Sequence, residues 1–290
     1  MRMVKVRADH PIAADGQVDI DAWIDRLNQN YSQSETSRAE LRRAAELSLS
    51  LVDIQATDDH NWGEEFSCFR IGLEMAEILA DLQLDQDALV AAILYRAVRE
   101  HKITLVDVQA RFGDTVGKLV KGVLRMAAIS YQRNEEERVL GSQATEQAEK
   151  IRKMLVSMVD DVRVALIKLA ERTCAIRSVK NVEPDRRRQV SREVADIYAP
   201  LAHRLGIGHI KWELEDLSFR YLQPEDYKRI AKLLDERRLA RQEYINNLLD
   251  LIRSELKKVG IEGTVGGRAK HIYSIWRKMQ RKGIPFSQVY

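Results

Sequence analysis

The stretch Asp87–His101, DALVAAILYRAVREH, decides how the rest of the chain is read. Ala88 through Leu94 is apolar on every helical face, and a helix without a polar stripe is one buried inside a bundle. The spacing therefore predicts a core helix in a mainly α fold. Its polar residues arrive abruptly, at Tyr95, Arg96, Arg99 and Glu100. That places a polar cluster at the inner end of a buried element, where functional groups are commonly mounted.

The segments on either side supply its packing partners. Upstream, Val4 to Val6 reads as a short strand or an extended arm, and Asp19 or Asp21 caps a helix carrying Trp23, Ile24 and Leu27. A second helix over Ser37 to Ile54 turns Leu41, Ala44, Ala45, Leu47, Leu49 and Leu51 inward. A third over Ile71 to Leu82, with Met75 as core filler, packs on the central one. Downstream, Thr104 with Asp107 makes a capping-box-like start to a short helix ending at Phe112-Gly113, and Asp114 caps the next. ATDDHNWGEEF (56–66) and the polar run from Ser130 to Ala148 read as loops. His60 beside Asp58 and Asp59 is read as solvated rather than metal-binding. Ile151 to Arg172 is a helix pair broken at Asp160-Asp161, an acidic pair read as an N-cap rather than a catalytic group.

Composition bounds the function more loosely. The chain has 290 residues, 45% hydrophobic and 31% charged, which is ordinary for a globular protein of one large domain or two smaller ones. Its net charge of +3 sets 47 basic against 44 acidic residues, so the balance does not argue for nucleic acid. Cys68 and Cys174 are too few for a disulfide scaffold or a four-cysteine zinc site and are expected to be core thiols. The amino terminus has no apolar leader, and no window reaches the ~18 uncharged apolar residues of a membrane span. The cytoplasm is the expected compartment, with no membrane partner.

The second chemical feature lies near the carboxyl end. Pro184 opens a helix with Arg186, Arg187 and Arg188 fanned around a solvated face, and Pro200 and Gly206-Ile-Gly208 are expected to break helices. Pro224 opens a long helix that continues past Arg237-Arg238 to Lys257-Lys258 and ends at Gly260. Ile261 to Val265 is the best candidate strand. Gly266-Gly267 and a basic helix, RAKHIYSIWRKM (268–279), follow it. Glycines between strand and helix let backbone approach a phosphate, and Arg268 and Lys270 add charge at the helix start, so the arrangement points to nucleotide binding.

Four stretches carry a family resemblance. AAILYR (91–96), KLAERTCAIR (168–177), APLAHRLGIGHIKWELEDLSFRYL (199–222) and GRAKHIYSIWRKM (267–279) together resemble the RelA/SpoT family of (p)ppGpp synthetase/hydrolases, over nearly all the chain after Ser37. The resemblance implies an HD-type helical bundle over 1–182, a helical connector over 183–259, and over 260–290 the first strand and helix of an α/β nucleotidyltransferase-like synthetase domain.

In that family a His-Asp doublet binds a metal and a Glu-Asp pair helps activate water. Here the doublet is Tyr95-Arg96 and the acidic pair is Arg99-Glu100. The first metal His aligns with Gln55, the second falls near Arg70 or Ile71, the Asp that completes the shell is Glu171, and Cys174 stands at a further His. A phenol and a guanidinium cannot replace an imidazole and a carboxylate on a divalent ion, because arginine offers only donors and carries positive charge. The resemblance thus implies a degenerate hydrolase site of Gln55, Tyr95, Arg96, Arg99, Glu100 and Glu171 with no metal, its pocket filled by Tyr95 and Arg96.

At the other end it implies an ATP site, with Arg268 at the adenine, Lys270 and Lys278 at the phosphates and Ser274 in support. Tyr273 and Trp276 read equally as packing residues. The intact family enzyme moves pyrophosphate from ATP to the 3′-hydroxyl of GTP or GDP with Mg²⁺ and is coupled to the ribosome through further domains. This chain stops at Tyr290, before the segments bearing the synthetase acids. It is expected to hold no cofactor, to carry no catalytic residue, and to be inactive in synthesis and hydrolysis, with a structural or regulatory role.

Two other readings fit parts of the sequence. One is a metal-dependent phosphohydrolase using Glu171, Glu100 and either His101 or His60. The other is a helical module binding RNA through Arg268, Lys270, Arg277, Lys278, Arg281 and Lys282, although RNA is not the expected partner.

Overall fold

The computed structural model describes residues 9–14, 16–30, 34–54, 67–136, 152–153, 155–156, 161–236, 238–267 and 270–289. The first helices begin where the sequence offers an acceptor. Asp19 accepts the Ala22 amide ahead of α1 (Ile20–Asn30), and Ser34 accepts that of Ser37 ahead of α2 (Glu35–Ser50). Ser67 and Asp85 do the same for α3 (Cys68–Asp81) and α4 (Gln86–Arg99), and Thr104 for α5 (Leu105–Phe112). Each cap satisfies an amide that helix geometry leaves without a partner. Asp114 is not the cap of α6 (Asp114–Glu136): it lies inside the first turn, where its carboxylate accepts from Gln109 Nε2 at 2.6 Å, and the Gly113 carbonyl opens the helix instead. Asp161 caps α7 (Val162–Ser178) through the Arg163 amide, while Asp160 lies outside the described residues.

α4 is the centre of the bundle, buried from Ala88 to Val98, with α2, α3, α6 and α7 around it. α3 crosses it so closely that a Cβ on Gly72 would stand 2.5 Å from the Ile93 carbonyl oxygen. Backbone cannot give way there as a side chain could. Gly72→Ala is therefore expected to lower stability by about 1–3 kcal/mol through forced separation of the two helices, read as the shift in a chemical denaturation midpoint; an unchanged midpoint would mean that the crossing is loose.

The apolar cluster built on α4 extends without interruption into the following segments: α8 (Pro184–Glu193), a π-helical turn (Val194–Tyr198), α9 (Ala199–Arg204) and α10 (Gly208–Leu222). Pro200 does not break the path as expected. It sits in the first turn of α9, directly after the π turn. A proline lacks the amide for an i−4 bond and crowds that carbonyl, and a wider turn before it relieves both. A second, smaller cluster joins Phe219 to Ile230 and Leu234 of α11 (Pro224–Glu236), Ile272 and Ile275 of α13 (Ile272–Lys282), and Phe286 and Val289. α12 (Arg238–Lys258) lies between these two helices in sequence; the helix expected from Pro224 to Lys258 is seen as α11 and α12, and Arg237, which stands between them, lies outside the described residues.

Two further expectations are corrected. α6 continues through Glu136, so Ser130 to Glu136 is helix rather than loop; Gln, Arg and Glu there are good helix formers, and polarity alone does not end a helix. Residues 137–148, like Val4 to Val6 and His60, lie outside the described residues. Ile261 to Val265 forms no strand. Among the described residues the only ladder contact is the single bridge between Ile12 and Val18, and an extended segment becomes a strand only beside another. The mainly α fold is as the sequence predicts.

Candidate functional sites: a buried ion cluster and a basic pocket

At the inner end of α4 the structure brings Tyr95 and Arg99 against Glu171 of α7. Glu171 is 1% exposed and receives cations from three directions. Arg172 donates to both carboxylate oxygens, Nε to Oε2 at 2.6 Å and a terminal nitrogen to Oε1 at 2.7 Å. Lys168 Nζ donates to Oε2 at 2.9 Å, and Arg99 to Oε1 at 3.2 Å. Arg172 also donates to Glu193 of α8 at 3.0 Å and lies over the Tyr198 ring, 5.7 Å from its centroid. Lys168 is fully buried, its ammonium 6.0 Å from the centroid of the buried Tyr95 ring.

The energetics of such a cluster are one-sided. Burial pushes the Glu171 carboxyl up, but Arg172, Lys168 and Arg99 outweigh it and hold it well below the usual carboxylate range. Lys168 fares differently: burial first, then repulsion from Arg172, brings its ammonium down to about 7 in spite of Glu171. Burial raises the Tyr95 phenol to about 12, so it is neutral at ordinary pH. The group that could most readily shed its charge is therefore Lys168 rather than Glu171.

Arg96 and Glu100 stand apart from this cluster. They pair with each other along α4, with Arg96 Nε and a terminal nitrogen 2.9 and 2.5 Å from Glu100 Oε1, and Lys102 lies 3.6 Å from Oε2. Gln55 lies outside the described residues. Among the described residues no three His, Cys, Asp or Glu side chains converge as a metal site would require. Lys168, Arg172 and Glu193 are members of this cluster that the sequence did not reveal. The available signal was two cations bracketing Glu171 within an otherwise apolar helix.

The second site is a cavity of about 440 Å³ between α10 and α13. α13 contributes Ser274, Arg277, Lys278, Arg281 and Lys282 along one face, with Tyr273 beside them and Lys270 just ahead of the helix. α10 contributes Lys211 and Glu215, paired at 2.6 Å. Of the residues expected at the nucleotide, Lys270, Ser274 and Lys278 are thus brought together, while Arg268 lies outside the described residues. Loss of solvent, then the repulsion of Lys270, Lys282 and Arg281, lowers the Lys278 ammonium below its ordinary range. Like charges one helical turn apart destabilise a helix unless an anion lies among them. The opposite face of α13 is apolar, and Trp276 anchors it by donating to Asp226 at 3.2 Å. The geometry suits a multiply charged anion.

A model of the HD domain family matches residues 48–208, from the last turn of α2 to the start of α10, and the chain belongs to that family. Within it the chain is of the RelA/SpoT type. It is 42% identical over 288 residues to the GTP pyrophosphokinase of Escherichia coli (strain K12), which covers 99% of this chain and 37% of that protein. The GTP pyrophosphokinase of Photobacterium angustum is 41% identical over the same length. The guanosine-3′,5′-bis(diphosphate) 3′-pyrophosphohydrolase of Aquifex aeolicus is 33% identical over 276 residues, 95% of this chain and 37% of that protein. The chain spans just over a third of the length of these relatives.

Proposed function

We propose that these residues belong to a RelA-type enzyme that makes (p)ppGpp by moving pyrophosphate from ATP to the 3′-hydroxyl of GTP or GDP, and that its HD bundle hydrolyses nothing. Relatives named for synthesis and for hydrolysis match the same residues, so identity alone does not choose between the two activities. The observation that carries the choice is the saturation of Glu171 by Arg172, Lys168 and Arg99. A divalent ion needs free lone pairs and an excess of negative charge, and this carboxylate offers neither. Tyr95 and Arg96 supply no anionic ligand beside it. The residues do not fit a metal, and the bundle's role is to support and restrain its neighbours.

In this reading residues 1–182 are the degenerate bundle, 183–259 the connector and 260–290 the start of the synthetase. The basic pocket receives the phosphates of ATP, with Lys270 and Lys278 as anion ligands, Ser274 in support and Arg268 at the base. Mg²⁺ belongs to the transfer step and is not assigned ligands in these residues. The protein acts in the cytoplasm, and its coupling to the ribosome is assigned to residues other than these.

The test is calorimetric titration of the chain with ppGpp, with and without Mn²⁺, followed by product analysis. No release of pyrophosphate is expected in either condition. Mn²⁺-dependent release would overturn the reading of Glu171 as a neutralised group.

A further inference from the structure

α13 begins without a cap of its own. His271 occupies the N-cap position, yet its side chain accepts no amide from the first turn. The acceptor comes instead from α10, where Asp216 Oδ1 takes the Tyr273 amide at 2.8 Å. Asp216 is fully buried, and its second oxygen receives no hydrogen bond but faces His271 Nδ1 at 3.3 Å. The His271 ring in turn stacks on Trp212, one turn earlier in α10, with centroids 5.2 Å apart and planes 17° from parallel. One helix therefore holds the start of the other by a carboxylate and an aromatic face together.

Burying a carboxylate with an oxygen left unbonded is costly, and an uncharged acceptor would cap the amide equally well in packing terms. The charge has a place here because the positive end of a helix dipole favours an anion. Lys270 immediately precedes that helix end, and Ser274 and Lys278 follow it on successive turns. Lys211 and Glu215 of the same α10 line the pocket from its other side.

We propose that Asp216 is a positioning residue of the basic pocket, capping α13 from the connector and so fixing the register in which Lys270, Ser274, Lys278 and Lys211 meet a di- or triphosphate. The proposal rests on the reading of the pocket as a phosphate site. Its consequence is that Asp216 shapes the pocket without touching the anion, which the same helix reaches through Lys211.

The experiment uses the 290-residue chain and tripolyphosphate, with affinity measured by calorimetry and amide exchange measured over α13 in the free protein. Asp216→Ala is expected to weaken binding about tenfold and to speed exchange at the first turn of α13 by a similar factor, the size of effect that follows loss of one cap. Asp216→Asn keeps the Oδ1 acceptor and is expected to restore both to within about threefold. Trp212 emission should change in the alanine variant as the His271 stack loosens, with Trp212→Phe identifying the signal.

Unchanged affinity and unchanged first-turn exchange in Asp216→Ala would overturn the proposal. If the alanine variant fails to fold, Asp216→Asn decides: a large loss of affinity with first-turn protection intact would show that the charge, and not the cap, is what matters. A wild-type chain that does not bind tripolyphosphate would overturn the pocket reading and the positioning role with it. The exchange data would then still show whether Asp216 caps the helix, so the two failures are told apart.

Discussion

Glu171→Gln is expected to lower the stability of the chain by about 3–5 kcal/mol, the range that follows removal of one partner from a buried ion pair. The substitution changes little in volume but leaves Lys168, Arg172 and Arg99 facing a neutral amide. Arg172 retains Glu193, whereas Lys168, fully buried, loses its ion-pair partner. A denaturation midpoint close to that of the wild type would show that the three cations are solvated in the native state, and would remove the argument against a metal.

Lys168→Met should be far milder, within about 1–2 kcal/mol in either direction, because the remaining Arg172–Glu171 pair is bidentate and an apolar side chain of similar length suits the site. The two residues also leave opposite marks on pH dependence. Glu171 is held below its ordinary value of 4.5, so the folded state binds fewer protons there, and its stabilising contribution is present above that pH and lost as pH falls below it. Lys168 is lowered from 10.5 to about 7. Between those values the unfolded chain binds the extra proton, so stability rises with pH from about 7 upward. Lys168→Met should flatten that alkaline limb and leave the acid limb in place.

Much of this cluster was legible in the sequence, and the part that was not has a definite cause. The unbroken apolar run Ala88–Leu94 identified the buried helix, and the sudden Tyr95, Arg96 and Arg99 marked its inner end. The partners of Glu171 were hidden because periodicity assigns Lys and Arg to solvent, and only the packing of α4 on α7 shows Lys168 and Arg172 to be inside. The basic helix was equally plain, since Gly266-Gly267 and the charges of Arg268 and Lys270 stand at its start, whereas Ser274 and Lys278 were named through the family resemblance. Lys211, Glu215 and Asp216 were read only as part of a connector, because they reach α13 through a contact distant in sequence. The candidate strand at Ile261–Val265 failed for a related reason. Glycine boundaries and β-branched residues describe a segment that fits a sheet, and they do not supply the neighbour that makes one.

Arg177→Met is expected to cost about 3–5 kcal/mol as well, by the opposite route, since it leaves two carboxylates behind rather than stranding cations. Arg177 stands in the last turn of α7 and donates to both oxygens of Glu213 on α10, at 2.6 and 2.8 Å, and to Glu74 of α3 at 2.9 Å. The Glu74 and Glu213 side chains are 3% and 9% exposed, so water does not take over the arginine's part. Arg177→Lys should rescue only part of the loss, because a single ammonium cannot reproduce a fork shared between two carboxylates. The double variant Arg177→Met with Glu213→Gln should recover part of the stability by removing one stranded charge. No recovery would assign the loss to packing of the arginine stem instead. Glu213 lies one turn before Asp216 on the same helix, so the loosened tether should also be felt at α13. Faster amide exchange at the first turn of α13 in Arg177→Met, with α3 and α4 still protected, is the expected sign that α10 carries mechanical load from the bundle to the basic pocket; equal exchange everywhere would mean that the two parts are independent.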